Sequence, residues 1–295
     1  MNLRQLRVSR RSIGIAAALA GTVSLAIGAH AAMSLRALDA AKAAVATGQV
    51  TESGQQVTES VRKGTRLALV IGNGHYPDAD EPLAQPINDA RALTHTLRRD
   101  GFDVDVVEDA SKDDMTRAID RLKSKITPDS VVMLFFGGYG VQAGSESYMI
   151  PVDAAIWKES DVRRQGVSVE GVLDMMKAQG ARAKLAVIDA SRRNPYERRY
   201  RAFSHGLAPI NAPDNALILS SATPGKVADD SAGQNSMLVG ELLNHLSDEP
   251  AGAEAVFDKT RVAVSRVSDG AQVPSVSSSL LEDVRFGALT ENAGS

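Results

Sequence analysis

Three apolar runs of strand length, each emptying into a turn, constrain this chain more than any other feature of its sequence. Leu67-Ala68-Leu69-Val70-Ile71 stops at Gly72-Asn73-Gly74, and Val131-Val132-Met133-Leu134-Phe135-Phe136 stops at Gly137-Gly138-Tyr139-Gly140. Leu185-Ala186-Val187-Ile188 stops at Asp189-Ala190-Ser191, with a break at Asn194-Pro195. None alternates with polar residues, so each is expected to be buried on both faces of a parallel sheet. Helical spacings lie between them: Ile87, Ala90, Leu93 and Leu97, then Met115, Ile119, Leu122 and Ile126, then Val169, Val172, Leu173 and Met176. Gly101, Pro128 and Gly180 stand where those helices should end. Strands alternating with helices predict an α/β fold with a mostly parallel central sheet, right-handed crossovers and helices on both faces.

The chain after Ser191 carries a long loop to Asn215, too long for simple packing, and then a strand at Ala216–Ser220. Asn235-Ser236 caps a helix through Met237, Leu238, Leu242 and Leu246, and a further helix runs through Val256, Thr260, Ala263 and Val267. Gln272-Val273-Pro274 and Ser278-Ser279-Leu280 supply a closing segment.

The chemistry should sit where strands deliver polar groups to the carboxyl edge of the sheet. Ser191 is the candidate nucleophile, and a serine hydroxyl needs a base in contact during attack. Tyr139 is a weak base because a phenol titrates near 10 and is mostly protonated at pH 7. His75, after the first strand, is the alternative base, with Asp189 or Asp153 as its orienter; a partly exposed loop histidine is the simpler account of it. Asp189 can instead hold its own turn by accepting backbone N–H groups. Among the other histidines none shares a metal spacing with another, so no metal is expected. Gly72-Asn73-Gly74 is not followed by the Gly-Lys-Ser/Thr of a phosphate-binding loop, so no cofactor is expected.

Taken together, Gly138-Tyr139-Gly140 and Asp189-Ala190-Ser191-Arg192-Arg193-Asn194-Pro195 resemble the two motifs of the caspase and metacaspase superfamily, in its bacterial form. There the first strand ends in Gly-His-Gly and the second in Asp-Ala-Cys-Arg-Asp-Asn-Pro. Tyr139 and Ser191 lie 52 positions apart, against about 50 between histidine and cysteine in caspases. The resemblance implies a caspase-like three-layer sandwich over residues 66–287, with strand order 2-1-3-4 and further strands beyond. It places Tyr139 and Ser191 at the positions of the catalytic dyad, and makes Asp189 part of a pocket for a basic side chain. It also sets Arg193 where the family keeps an aspartate, so that Arg193 would repel a substrate guanidinium. The frame of a cysteine peptidase remains while base and nucleophile are replaced. The function expected is therefore that of a pseudopeptidase that binds or regulates. The alternative is a hydrolase using Ser191 with His75 or Tyr139.

Composition sharpens this in one respect. The chain contains no cysteine, which excludes disulfides, thiolate zinc sites and any cysteine nucleophile. Apolar residues at 43% and charged residues at 23% suit a globular core. A net charge of −3 gives no reason to expect nucleic acid as a partner.

The N-terminus reads as an export signal over residues 1–31. Arg4, Arg7, Arg10 and Arg11 precede an uncharged run from Ile13 to Ala29, and Ala29-His30-Ala31 offers small residues for cleavage. The expected location is periplasmic or secreted, with a membrane anchor only if the segment is not cleaved. Residues 32–65 read as a linker containing the near-repeat Gln49-Val50-Thr51-Glu52-Ser53 and Gln56-Val57-Thr58-Glu59-Ser60, and residues 288–295 as a tail. Arg192, Arg193, Arg198, Arg199 and Arg201 form a basic cluster beside the degenerate dyad. As a solvated loop it needs no ligand; as a rim it would draw a protein or peptide partner through its acidic groups.

Overall fold

The computed structural model describes residues 64–77, 82–193, 195–196, 206–228, 233–247 and 251–287. The expected export segment, nearly all of the linker, the tail, and Arg198, Arg199 and Arg201 lie outside the described residues.

The first half of the domain alternates as its sequence pattern requires: β1 (Arg66–Gly72), α1 (Gln85–Arg99), β2 (Asp103–Glu108), α2 (Lys112–Lys125) and β3 (Val131–Gly137). Next come β4 (Gly140–Ala143), β5 (Glu146–Met149), α3 (Glu159–Gln165) and β6 (Val167–Ser168). The chain then makes α4 (Val169–Ala178), β7 (Ala183–Asp189), β8 (Ala216–Ser220), α5 (Met237–Leu246), α6 (Ala253–Val267) and β9 (Ser275–Ser278).

The large sheet runs β2-β1-β3-β7-β8-β9, so the expected order 2-1-3-4 is present with two strands added beyond it. All its pairings are parallel except β8 with β9. The uniformly apolar runs have a simple cause. Successive strand residues point to opposite faces, and both faces are covered. Met133, Phe135, Leu185 and Val187 pack under α1, α5 and α6, while Leu134, Phe136, Ala186 and Ile188 pack under α2 and α4. The result is a three-layer α/β sandwich.

A second, three-stranded sheet, β4-β5-β6, has no counterpart in the sequence-based expectation. Its strands are too short to show a period, yet a signal was there. Ala143 pairs with Glu146 across Gly144-Ser145, and Gly144 has φ 64°, the left-handed backbone of a two-residue hairpin. The helix expected to include Ile126 stops one residue earlier, because Ile126 is already extended at ψ 132° while its side chain stays buried.

Strand register then sets the site. Gly72 of β1 pairs with Gly137 of β3, and Gly137 pairs with Asp189 of β7. Three strands therefore end level, and the turns that follow them stand side by side.

Candidate functional site

The turns after β3 and β7 are bonded to each other through their backbones. Gly138 N donates to the Asp189 carbonyl at 3.2 Å, and Gly140 N donates to the Ala190 carbonyl at 3.0 Å. Tyr139 and Ser191 are thus brought together at neighbouring strand ends, as their motifs require. The two glycines around Tyr139 are there for room. A Cβ on Gly138, whose φ is 156°, would lie 2.6 Å from the Tyr76 hydroxyl, and one on Gly140 would lie 2.8 Å from the Ala190 carbonyl. Both distances are shorter than any side chain tolerates.

Tyr139 itself is fixed by a residue that sequence reasoning passed over. The Tyr76 hydroxyl accepts from Tyr139 N at 3.0 Å and donates to the Ile150 carbonyl at 2.9 Å, while Ile150 N donates to the Tyr139 carbonyl at 3.0 Å. The Tyr76 and Tyr139 rings meet edge to face, with centroids 4.8 Å apart. Burial pushes the Tyr76 phenol well above its ordinary range, so it stays neutral and serves as donor and acceptor together. Asn73, fully buried, ties the same region by donating to the Ile150 carbonyl and accepting from Ala110 N. The signal for both residues was the polar turn Asn73-Gly74-His75-Tyr76 directly after a buried strand.

Ser191 is only 1% exposed. Its N–H donates to the Ser221 hydroxyl at 3.3 Å, and its carbonyl accepts from Ala228 N at 2.6 Å. The segment after β8 therefore lies against the nucleophile position. Among the described residues, no hydrogen bond joins the Ser191 hydroxyl to His75.

The position of His75 explains why. Strands sit about 4.8 Å apart, and β3 stands between β1 and β7, so His75 leaves the sheet two strands from Ser191. Its Nδ1 lies 2.6 Å from Asp109 Oδ2, and that ion pair is open to solvent. Asp109, at the end of β2, also accepts from Gly74 N and His75 N. The partner of His75 is therefore Asp109, and neither of the expected orienters. Asp153 instead accepts from Lys112 N in the first turn of α2.

The arginines divide. Arg193 is exposed, with nothing holding it beside the strand end among the described residues. Arg192, expected on an outer rim, turns inward and is 6% exposed. Its Nη1 donates to the Asp189 carbonyl at 2.6 Å and the Gly138 carbonyl at 3.0 Å, and lies 3.8 Å from Asp189 Oδ1. The cation beside Asp189 is thus Arg192, while Arg193, expected to repel a guanidinium there, faces solvent. The turn is held by the Asp189 carbonyl; no backbone N–H reaches its carboxylate among the described residues. Asp189 Oδ2 is buried without a hydrogen-bond partner.

A second buried carboxylate faces the same problem. Asp89 Oδ1 accepts from Asn235 Nδ2 at 2.8 Å and Ser236 N at 3.0 Å, joining α1 to the start of α5. Its Oδ2 has no partner. Burial first, and then the negative charge of Asp189, raise the Asp89 carboxyl to about 7. The two carboxylates repel one another and each keeps an orphan oxygen, with the Arg192 guanidinium beside Asp189. Asp89 reads in the sequence as a helix-dipole residue, but the helix starts at Gln85 and Asp89 lies past its first turn.

Residues 65–285 match the family model described as the caspase domain. The chain is also similar to mucosa-associated lymphoid tissue lymphoma translocation protein 1 of Homo sapiens, at 27% identity over 144 residues, 48% of this chain and 17% of that protein. The homolog from Mus musculus is 28% identical over 133 residues, 45% of this chain and 16% of that protein. The similarity therefore spans only a small part of the length of these relatives.

Proposed function

The chain belongs to the caspase-domain family, and on that premise we propose that it acts as an exported pseudopeptidase, a binding or regulatory protein that takes up a protein or peptide segment without cutting it. One observation carries this reading: the buried Asp89–Asp189 pair, with an unsatisfied oxygen on each carboxylate, beside a dyad that has neither thiol nor imidazole. A guanidinium or ammonium group from a partner, taking the place that Arg192 holds beside Asp189, would satisfy both oxygens and relieve their repulsion. Ser191 and Tyr139 would then shape the floor of the pocket and leave the bound segment intact. The arginines at 193, 198, 199 and 201 would attract acidic residues of the same partner nearby. Export rests on the four arginines, the uncharged run and Ala29-His30-Ala31. No helix among the described residues is long and apolar enough to cross a membrane.

The hydrolase reading finds less support, because Ser191 is buried and His75, separated from it by β3, is paired with Asp109. Purified full-length protein should bind an arginine-bearing peptide amide and return it uncleaved, and Asp189→Asn should weaken capture by roughly tenfold. Stoichiometric labelling of Ser191 by a fluorophosphonate, abolished in Ser191→Ala, would overturn the proposal in favour of a serine hydrolase.

A further inference from the structure

A second surface lies at the far edge of the large sheet, away from the degenerate dyad. β2 is an edge strand, paired only with β1 among the described residues. Asp109 N reaches back to the Gly72 carbonyl, so odd-numbered amides of this strand face β1. The alternation of a parallel strand then turns the backbone groups of Val104, Val106 and Glu108 outward. The Val104 carbonyl is capped by Arg98 Nη2 at 3.3 Å. Val106 keeps its outward N–H and C=O open, with no hydrogen-bond partner among the described residues.

Beside this edge, α1 overhangs β2 and encloses a groove of about 680 Å³. Its lining holds Arg91, Arg98 and Arg99 against one carboxylate, Glu108, which is bound in a fork by Arg91 at 2.7 and 2.6 Å. Val106 contributes an apolar wall. Thr94 also lines the groove, with its hydroxyl buried and without a hydrogen-bond partner.

We propose that this edge is a docking site for an extended acidic peptide of a partner protein, added to β2 as a further strand. Two observations converge on that occupant. Open backbone groups at Val106 call for a strand rather than a helix. The excess of guanidinium groups on the α1 side calls for carboxylates on alternate residues of that strand, the ones that face α1. A second copy of this chain fits less well, because the α1-facing residues of its own β2 would be Val104, Val106 and Glu108, a single acid among three.

The test uses full-length protein and a short fluorescent peptide of alternating glutamate and threonine. Anisotropy should rise on binding, fall with added salt, and stay flat for the lysine–threonine counterpart. Amide exchange should slow at Val106 and Glu108 in the complex. Arg98→Gln with Arg99→Gln should weaken binding by roughly tenfold. Val106→Pro, which removes an outward N–H that an edge strand can spare, should abolish the exchange protection while leaving the groove charges in place. Absence of binding, or binding without protection at β2, would refute the proposal. Concentration-dependent dimers that disappear in Val106→Pro would refute it in favour of self-pairing.

Discussion

Tyr76 holds Tyr139 in two ways at once, by accepting its backbone N–H at 3.0 Å and by meeting its ring edge to face at 4.8 Å. Tyr139 is therefore seated through both its backbone and its ring by a single buried neighbour.

That seat makes Tyr76→Phe informative. The change strands the N–H of Tyr139 in a buried site, at a cost of about 1–3 kcal/mol, while the Ile150 carbonyl keeps its bond from Asn73. The urea midpoint should drop while the slope of the transition stays the same. An unchanged midpoint would mean that water replaces the phenol without loss.

Asp89 predicts a dependence on pH. Its folded carboxyl titrates at about 7, against about 3.9 in an unfolded chain. Between those values the unfolded state releases a proton that the folded state keeps, so stability falls as pH rises from about 4 to about 7 and then levels off. About three units correspond to about 4 kcal/mol. Asp89→Asn cannot ionise, so its melting temperature should exceed that of the wild type at pH 8 and match it near pH 4. Parallel melting curves across that range would show that Asp89 is charged at no cost in the native state.

Restoring the dyad tests whether the frame is intact. Ser191→Cys alone leaves a buried thiol with no imidazole on the adjacent turn; adding Tyr139→His places one there and should lower the thiol pKa. Alkylation by iodoacetamide is expected to be roughly tenfold faster in the double variant than in Ser191→Cys. Equal rates would place the two side chains out of reach of one another.

The export expectation is checked by the N-terminus of native protein, which should begin at Ala32 and be recovered outside the cytoplasm. A soluble cytoplasmic species that still carries Met1 would count against it.

How far the sequence could be read depended on whether a residue's neighbours were local. The strands of the large sheet were legible because burial on both faces leaves no polar letter in the run, and Tyr139 and Ser191 because each stands at the end of one. The direction of an arginine was not. Arg192 and Arg193 are adjacent and chemically identical, yet one packs between two carbonyls and the other meets solvent. Asp89 was hidden for a different reason: its partner Asn235 lies 146 positions away, beyond the range of any helix pattern. His75 looked available because it follows a central strand, and only the strand order shows that β3 stands in between.

The contacts that align the two turns, Gly138 to Asp189 and Gly140 to Ala190, run from main chain to main chain. The alignment of the two turns therefore does not run through the side chains at 139 and 191. Changes at those two positions leave the alignment in place, which separates the persistence of the scaffold from the chemistry its side chains carry. The same indifference works in reverse, and it makes this domain a blank holder in which other pairs of reactive groups can be tried without rebuilding the sheet beneath them.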